Sequence, residues 1–343
     1  LFVRLEGVMI LLEKRRFLAQ SLVGSGCEWL LRKVGAWRGL LVLNYHRIGN
    51  PHSTRWDHDL WSATSEEFDW QVRHLKRHFD VVSPADFEQV RSSKRGRHIV
   101  ISFDDGYRDN YDLAFPILRD HHVPATFFLA TRFLDQPYVS WWDEVAWMIR
   151  STDRQFLEGD IWLPQPVLID HLNPQVTIRT LLKILKCLDG EKSQEFLNYL
   201  GQATGCGRCP AKHAADLWMN WDMVREMRAG GMNFGAHTVN HPVLSRLSID
   251  RQRWEIVESR RRIEHELGEK VNTFSYPVGG QETCTEETRQ CLRDEGFQWA
   301  FRYGVGYSRN PFKDPMQIPR LAVEQTIGRS MFRSLTTLPQ LFD

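Results

Sequence analysis

The run Ile99-Val100-Ile101-Ser102-Phe103-Asp104-Asp105-Gly106 is apolar and rich in β-branched residues until it ends in two adjacent carboxylates and a glycine. It reads as a buried strand emerging at the rim of a sheet. Catalytic groups collect at such strand ends in α/β folds. Successive strand residues point to opposite faces, which leaves Asp104 and Asp105 free for different tasks, one on a cation and one on a proton. The plainer alternative is an Asp-Gly turn after a strand, with both carboxylates in water.

A second stretch, Phe234-Gly235-Ala236-His237-Thr238-Val239-Asn240-His241-Pro242, again runs from an apolar segment into polar groups. Histidines four residues apart share one face of a helical turn and suit two imidazoles on one metal. Among 13 histidines such a pair also arises by chance. Joined to one of the aspartates, it makes a three-ligand site with positions left for water and substrate.

Together, Phe103-Asp104-Asp105-Gly106 and His237-Thr238 with His241-Pro242 resemble motifs of the polysaccharide deacetylase family, also called the NodB-homology or carbohydrate esterase 4 family. The resemblance covers roughly residues 39 to 325, with one long insertion. It implies a distorted (β/α) barrel and metal-dependent hydrolysis of N-acetyl groups on sugars. It also implies that Asp105, His237 and His241 hold the metal and that Asp104 is the general base. Zinc is the expected cation for such a set, with cobalt, nickel or manganese as alternatives.

Elsewhere the chain alternates in the same rhythm. Leu40 to Ile48 is an apolar strand ending in polar groups, and it resembles the segment that opens one branch of the family, which puts His46 at the rim beside Asp104. Ser65 starts a helix with Glu66 and Glu67 in its first turn and an apolar stripe of Phe68, Val72, Leu75 and Phe79. A helix over 109–120 and a strand over 124–129 then complete a unit that implies a right-handed parallel crossover. Helices over 248–267 and 286–294, and strands over 272–275, 297–301 and 317–323, continue the pattern. About seven strands suit a closed α/β barrel better than an open sheet.

Two regions stand outside this rhythm. Residues 1–38 read as a helical arm, packed on the barrel in preference to lying on a membrane surface. Its apolar run Val8 to Leu12 is too short to span a bilayer, and no clear secretory signal is present. Within the main domain, 39–343, residues 133–217 read as a helical insertion over the barrel mouth, with helical patterns near 176–188 and 191–204. There Trp141 and Trp142 either stack on sugars or, slightly favoured, anchor the insertion. The insertion also holds Cys206-Gly207-Arg208-Cys209, which lacks the further ligands of a structural zinc. Free thiols are therefore expected, and they fit the cytoplasm, with the arm leaving membrane association open.

Charge narrows the partners. A net charge of +1 gives no support for nucleic-acid binding or for electrostatic steering of a polyanion. The expected partner is an N-acetylated glycan, and nothing in the sequence sets the oligomeric state.

Two family motifs depart from pattern. Phe274-Ser275-Tyr276-Pro277-Val278-Gly279 aligns with an element that carries an arginine where this chain has Ser275 and an aromatic residue where it has Val278. The resemblance assigns that arginine to orienting the base and the loop backbone, here Tyr276, Pro277 and Val278, to the oxyanion. Arg320 is a candidate replacement from a late strand. A C-terminal Leu-x-His that carries the general acid in many members is Leu321-Ala322-Val323 here. His46 is the substitute, because a closed barrel places first and last strands side by side. The expected activity is N-deacetylation of a polymeric, oligomeric or lipid-linked glycan. Removal of a formyl or other acyl group from a lipid-linked amino sugar, or a barrel that only binds carbohydrate, are the alternatives.

Overall fold

A computed structural model describes residues 17–341 except 36, 94, 95 and 305. Seven parallel strands close a barrel: β1 (Gly39–Tyr45), β2 (Arg97–Phe103), β3 (Thr126–Leu129), β4 (Asn233–Ala236), β5 (Thr273–Ser275), β6 (Trp299–Tyr303) and β7 (Ile318–Ala322). Each pairs with the next, and β7 closes on β1 through Leu43↔Leu321 and Asn44↔Ala322. Short strands Asp80–Val81 and Tyr307–Ser308 extend β2 and β1 at the opposite end from the motifs.

Strand alternation explains both the core and the site. Outward residues Leu41, Leu43, Tyr45, Ile99, Ile101 and Phe103 pack under helices, among them Phe68, Val72 and Leu75 of α1 (Ser65–His78). Thr64 caps that helix by accepting from the Glu67 N–H. Each fully buried side chain of this kind contributes about 1.5–3 kcal/mol. The inward files start apolar, where Val42, Val100, Phe128, Phe301 and Ile318 fill the lower barrel and Phe87 plugs its floor. Toward the C-terminal strand ends the same files turn polar, with Asn44, Ser102, Ser275 and Arg320 hydrogen-bonded to one another across the interior. Gly235 on β4 is required by this packing, since a Cβ there would sit 2.5 Å from the Phe128 ring.

The helix expected over 109–120 is split, with a π-helical turn over Asn110–Ala114 leading into an α-helix over Phe115–Asp120. Pro116 supplies no N–H to the ladder, and the turn widens just before it. In the 133–217 region, α2 (Trp141–Ser151), α3 (Pro174–Leu185) and α4 (Gly190–Thr204) pack together, and a small hairpin pairs Phe156–Leu157 with Val167–Leu168. Of the N-terminal arm, residues 1–16 lie outside the described residues. Residues 27–34 form a helix that packs on the C-terminal helix Arg329–Thr337, where buried Glu28 accepts from Arg333 at 2.5 Å and Thr337 at 2.9 Å. Phe17, Trp29, Leu30 and Val34 stay exposed there. Among the described residues, no helix is long and apolar enough to cross a membrane. All six cysteines are free thiols.

Candidate active site

The C-terminal ends of the strands surround a cavity of about 250 Å³ that is lined by His46, Asp104, Asp105, His237, His241 and Val278, among others. Asp104 and Asp105 follow β2, but the cause of their divergence differs from simple strand alternation. The strand ends at Phe103, and Asp105 adopts a left-handed backbone with φ 75°. That flip sends the two carboxylates to different partners.

Asp104 meets Arg320. The guanidinium donates to both carboxylate oxygens, at 2.8 and 2.7 Å, with both side chains almost wholly buried. Arg320 also donates to Asn44 at 2.6 Å and to Ser275 at 2.8 Å. Burial alone would raise the Asp104 pKa, but Arg320, with His237 and His46, outweighs it and holds the carboxyl below its usual range. Asp104 is therefore an ionised, oriented carboxylate. Ser275 stands where the family pattern has arginine, and β7 delivers the guanidinium to the same carboxylate.

Asp105 meets the histidines. Its Oδ1 lies 3.4 Å from His237 Nε2 and 3.3 Å from His241 Nε2. All three ligand atoms fall within 4.8 Å of one another, and this is the one such three-donor cluster among the described residues. His237 Nδ1 donates to the Ser275 carbonyl at 2.7 Å, which turns Nε2 toward Asp105, and against its burial Asp104 and Asp105 raise the His237 pKa. Asp105 Oδ1 and His241 Nδ1 are buried without a hydrogen-bond partner. Burial drives His241 down to about 3 despite nearby Asp105, so its imidazole is neutral, the form that ligates. A buried carboxylate oxygen facing the Nε2 atoms of two imidazoles fits a divalent cation, which would take the place of any proton between them.

The histidine pair does not share a helical turn. Residues 237–243 form a loop in which Thr238 (φ 70°) and His241 (φ 54°) are left-handed. Thr238 Oγ1 accepts from the His241 N–H at 3.0 Å and closes the turn. The imidazoles still face each other, with centroids 4.8 Å apart. Trp142 packs edge-on against His241 at 4.5 Å and donates its indole N–H to Tyr107 at 2.7 Å. It is a buried anchor, whereas Trp141 is partly exposed on the cavity wall.

His46 stands just past β1. Its backbone is fixed by Ser62 on the N–H and Asn110 on the carbonyl. Next to it, Arg47 bonds Asp109 at 2.8 Å between the faces of Trp61 and Tyr107. The His46 ring lies parallel to Tyr303, whose hydroxyl is 3.1 Å from Nε2 and accepts from Asn44 at 2.9 Å. Burial lowers the His46 pKa, against the pull of Asp105 and Asp104. Tyr303 and Asn44 escaped the sequence reading, although a lone asparagine inside an otherwise apolar strand is a signal of an inward polar contact.

The Tyr276–Val278 loop is narrower in capability than its sequence implies. The Tyr276 N–H is spent on the Phe301 carbonyl at 3.0 Å, and its hydroxyl on the Met316 carbonyl. Pro277 has no N–H. Val278 alone keeps a backbone donor without an acceptor among the described residues, and it lines the cavity with φ 62°.

A closed parallel barrel with a carboxylate–bis-histidine cluster and a separately paired aspartate at its strand ends is the layout a metal-assisted hydrolase requires. The family model described as polysaccharide deacetylase matches residues 91–153 and 181–300. This is just over half of the chain, and the chain belongs to that family. The unmatched gap falls inside the insertion. A poly-beta-1,6-N-acetyl-D-glucosamine N-deacetylase of Staphylococcus epidermidis is 34% identical over 107 residues, which are 27% of this chain and only 37% of the relative. The putative polysaccharide deacetylase YxkH of Bacillus subtilis is 19% identical over 290 residues, covering 83% of this chain and 71% of the relative. In fold, the chain matches the Streptococcus pyogenes deacetylase PplD in complex with acetate (TM-score 0.56, 17% identity, 87% of this chain and 97% of that one). It also matches IcaB from Ammonifex degensii (TM-score 0.54, 20% identity, 88% and 97%).

Proposed function

We propose that this chain is a metal-dependent amidohydrolase that removes the N-acetyl group from an acetamido sugar of a glycan. The observation that carries this reading is the buried Asp104–Arg320 ion pair beside the Asp105–His237–His241 cluster. A pure carbohydrate binder has no use for an ionised carboxylate held next to a metal site.

Asp105, His237 and His241 would hold the cation, with zinc favoured by this donor set. When bound, it supplies Lewis acidity toward the acyl carbonyl and acidifies water. Asp104 accepts the proton of the attacking water, and Arg320 keeps that carboxylate ionised until it does. The Val278 N–H donates to the acyl oxygen as negative charge develops there. His46, oriented by Tyr303, delivers a proton to the departing nitrogen from its protonated form, which burial disfavours and the Asp104 and Asp105 charges support.

Replacement of His46 by alanine tests the assignment. Metal content and fold should persist while release of acetate from an N-acetylated sugar falls by about 10²-fold or more. Hydrolysis of an activated phenyl acetate should fall far less, because a phenolate leaves without a proton. Equal losses on the two substrates would remove His46 from the acid role. The second reading, deacylation of a lipid-linked amino sugar, is favoured by one feature. A groove of about 620 Å³ adjoins the metal cavity, with Leu185, Leu188, Leu197 and Val243 in its walls.

A further inference from the structure

The groove runs between the insertion and the loop that follows His241. Trp141, Lys186 and His241 line both it and the metal cavity, so the two spaces adjoin along a shared wall. Its size falls within the range of sites that enclose a ligand of several rings.

Its lining is unbalanced toward positive charge. Five cationic side chains line it against two carboxylates. Both carboxylates are already engaged. Glu144 takes two bonds from Arg208, at 2.6 and 2.8 Å, and one from the Cys209 N–H. Glu255 accepts from the Val239 and Asn240 N–H groups, each at 2.9 Å, and pairs with Arg251 at 3.5 Å. That leaves Arg132, Arg246 and Lys186. Arg132 donates to the neutral amide of Asn240 at 3.1 Å, and among the described residues none of the three has a carboxylate within ion-pair distance. A chain of net charge +1 thus gathers three cationic side chains without a salt-bridge partner on one groove, of which Lys186 also feels Asp57 and Asp59 of the adjoining cavity and Arg132 and Arg246 lie farther along the groove. Overall charge hid this, because the average over 343 residues says nothing of a cleft.

We infer that the groove binds an anion carried by the substrate next to its acylated amino sugar. The substrate class is then an acidic glycan or glycoconjugate, in which Trp141 faces the sugar at the junction and Arg132, Arg246 and Lys186 hold a carboxylate or phosphate beyond it. The inference rests on the deacylase reading of the adjoining cavity and narrows it. Two sources supply the same chemistry, a uronic acid within the chain or a diphosphate at a sugar's anomeric carbon.

Three ligands separate the outcomes: a neutral N-acetylglucosamine tetramer, an alternating N-acetylglucosamine–glucuronate tetramer, and uridine diphosphate N-acetylglucosamine. Binding is measured by calorimetry on the Asp104→Asn protein, and kcat/KM on the unmodified enzyme. An anionic ligand should bind about tenfold or more tightly than the neutral tetramer at low salt. That preference should shrink toward one as ionic strength approaches about 1 M. It should also collapse in Arg246→Gln and in Arg132→Gln, both exposed positions where folding is not at stake. Preference for the tetramer assigns the anion to a uronic acid, and preference for the nucleotide sugar assigns it to a diphosphate. Neutral and anionic ligands binding equally, or a preference untouched by salt and by both substitutions, overturns the inference. Acetate release without any anionic preference keeps the deacylase reading and removes the groove. Anionic preference with no acetate from any of the three does the reverse.

Discussion

Replacement of Arg320 by methionine probes the contact on which the proposed chemistry depends. Methionine matches much of the arginine stem in bulk but leaves Asp104 as a buried, unpaired carboxylate. The lost bonds are two short charge-assisted contacts, 2.8 and 2.7 Å, between side chains that are 0% and 1% exposed. At about 1.5–3 kcal/mol each, and against about 3–5 kcal/mol for breaking a buried pair by removing one partner, a loss near the lower end of 3–5 kcal/mol is expected. The lower end applies because Ser275 Oγ at 3.3 Å and Asn44 Nδ2 at 3.4 Å remain as weak donors to Asp104. Guanidinium unfolding of the two single variants and of the double variant with Asp104→Asn gives the interaction energy directly. The double variant should be less damaged than the sum of the singles by about 2 kcal/mol or more. Turnover should fall with the single Arg320 change, because the base is then neither oriented nor held ionised. Additive single effects, or an Arg320→Met protein that loses less than about 1 kcal/mol and keeps its turnover, would refute the reasoning.

Other expectations are more compact. Elemental analysis of protein purified without chelator should find close to one divalent cation per chain, and His237→Ala should lose most of it, since that residue supplies one of three clustered donors. Asp104→Asn should keep the cation and lose most of the turnover; loss of cation with activity would move Asp104 into the ligand set. Burial, with His78, Arg32 and Arg333 adding repulsion, pushes His74 down to about 3. The unfolded chain takes up that proton near pH 6.5 and the folded chain does not, so this stability is complete above pH 6.5 and drains as pH falls toward 3. Between pH 6.5 and 4 the loss is on the order of 3 kcal/mol. His74→Gln should flatten that limb in pH-dependent denaturation, and an unchanged limb would place its origin elsewhere.

The barrel was legible because its strands advertise themselves. The first two runs end in polar residues, and their inward files change from Val42 to Asn44 and from Val100 to Ser102. Local backbone conformation was not legible. Left-handed φ values at Asp105, Thr238, His241 and Val278 depart from what their side chains prefer, and each is held by the tertiary contacts of the site. Hence the Asp105 flip and the non-helical histidine turn only become visible in three dimensions. Arg320 was readable only as a candidate, since an arginine in a strand points inward or outward according to a register that pairing with β1 decides. The Val278 donor needed the fate of its neighbours' N–H groups. The cationic groove needed the docking of α3 and α4, because Arg132, Lys186 and Arg246 are scattered over more than a hundred positions.

Closure of β7 onto β1 divides the proposed site between two sectors of the ring. Asp105, His237 and His241 belong to the β2–β4 side, whereas the guanidinium that steadies Asp104 arrives with β7, bonded to an Asn44 that lies 276 positions away. Contacts of such long sequence separation carry the largest loop-closure entropy and tend to form late. The contact that steadies Asp104 spans nearly the whole barrel in sequence, whereas the clustered Asp105, His237 and His241 do not depend on it. Loosening of the β7–β1 seam should therefore disturb Asp104 before it disturbs the Asp105–His237–His241 cluster.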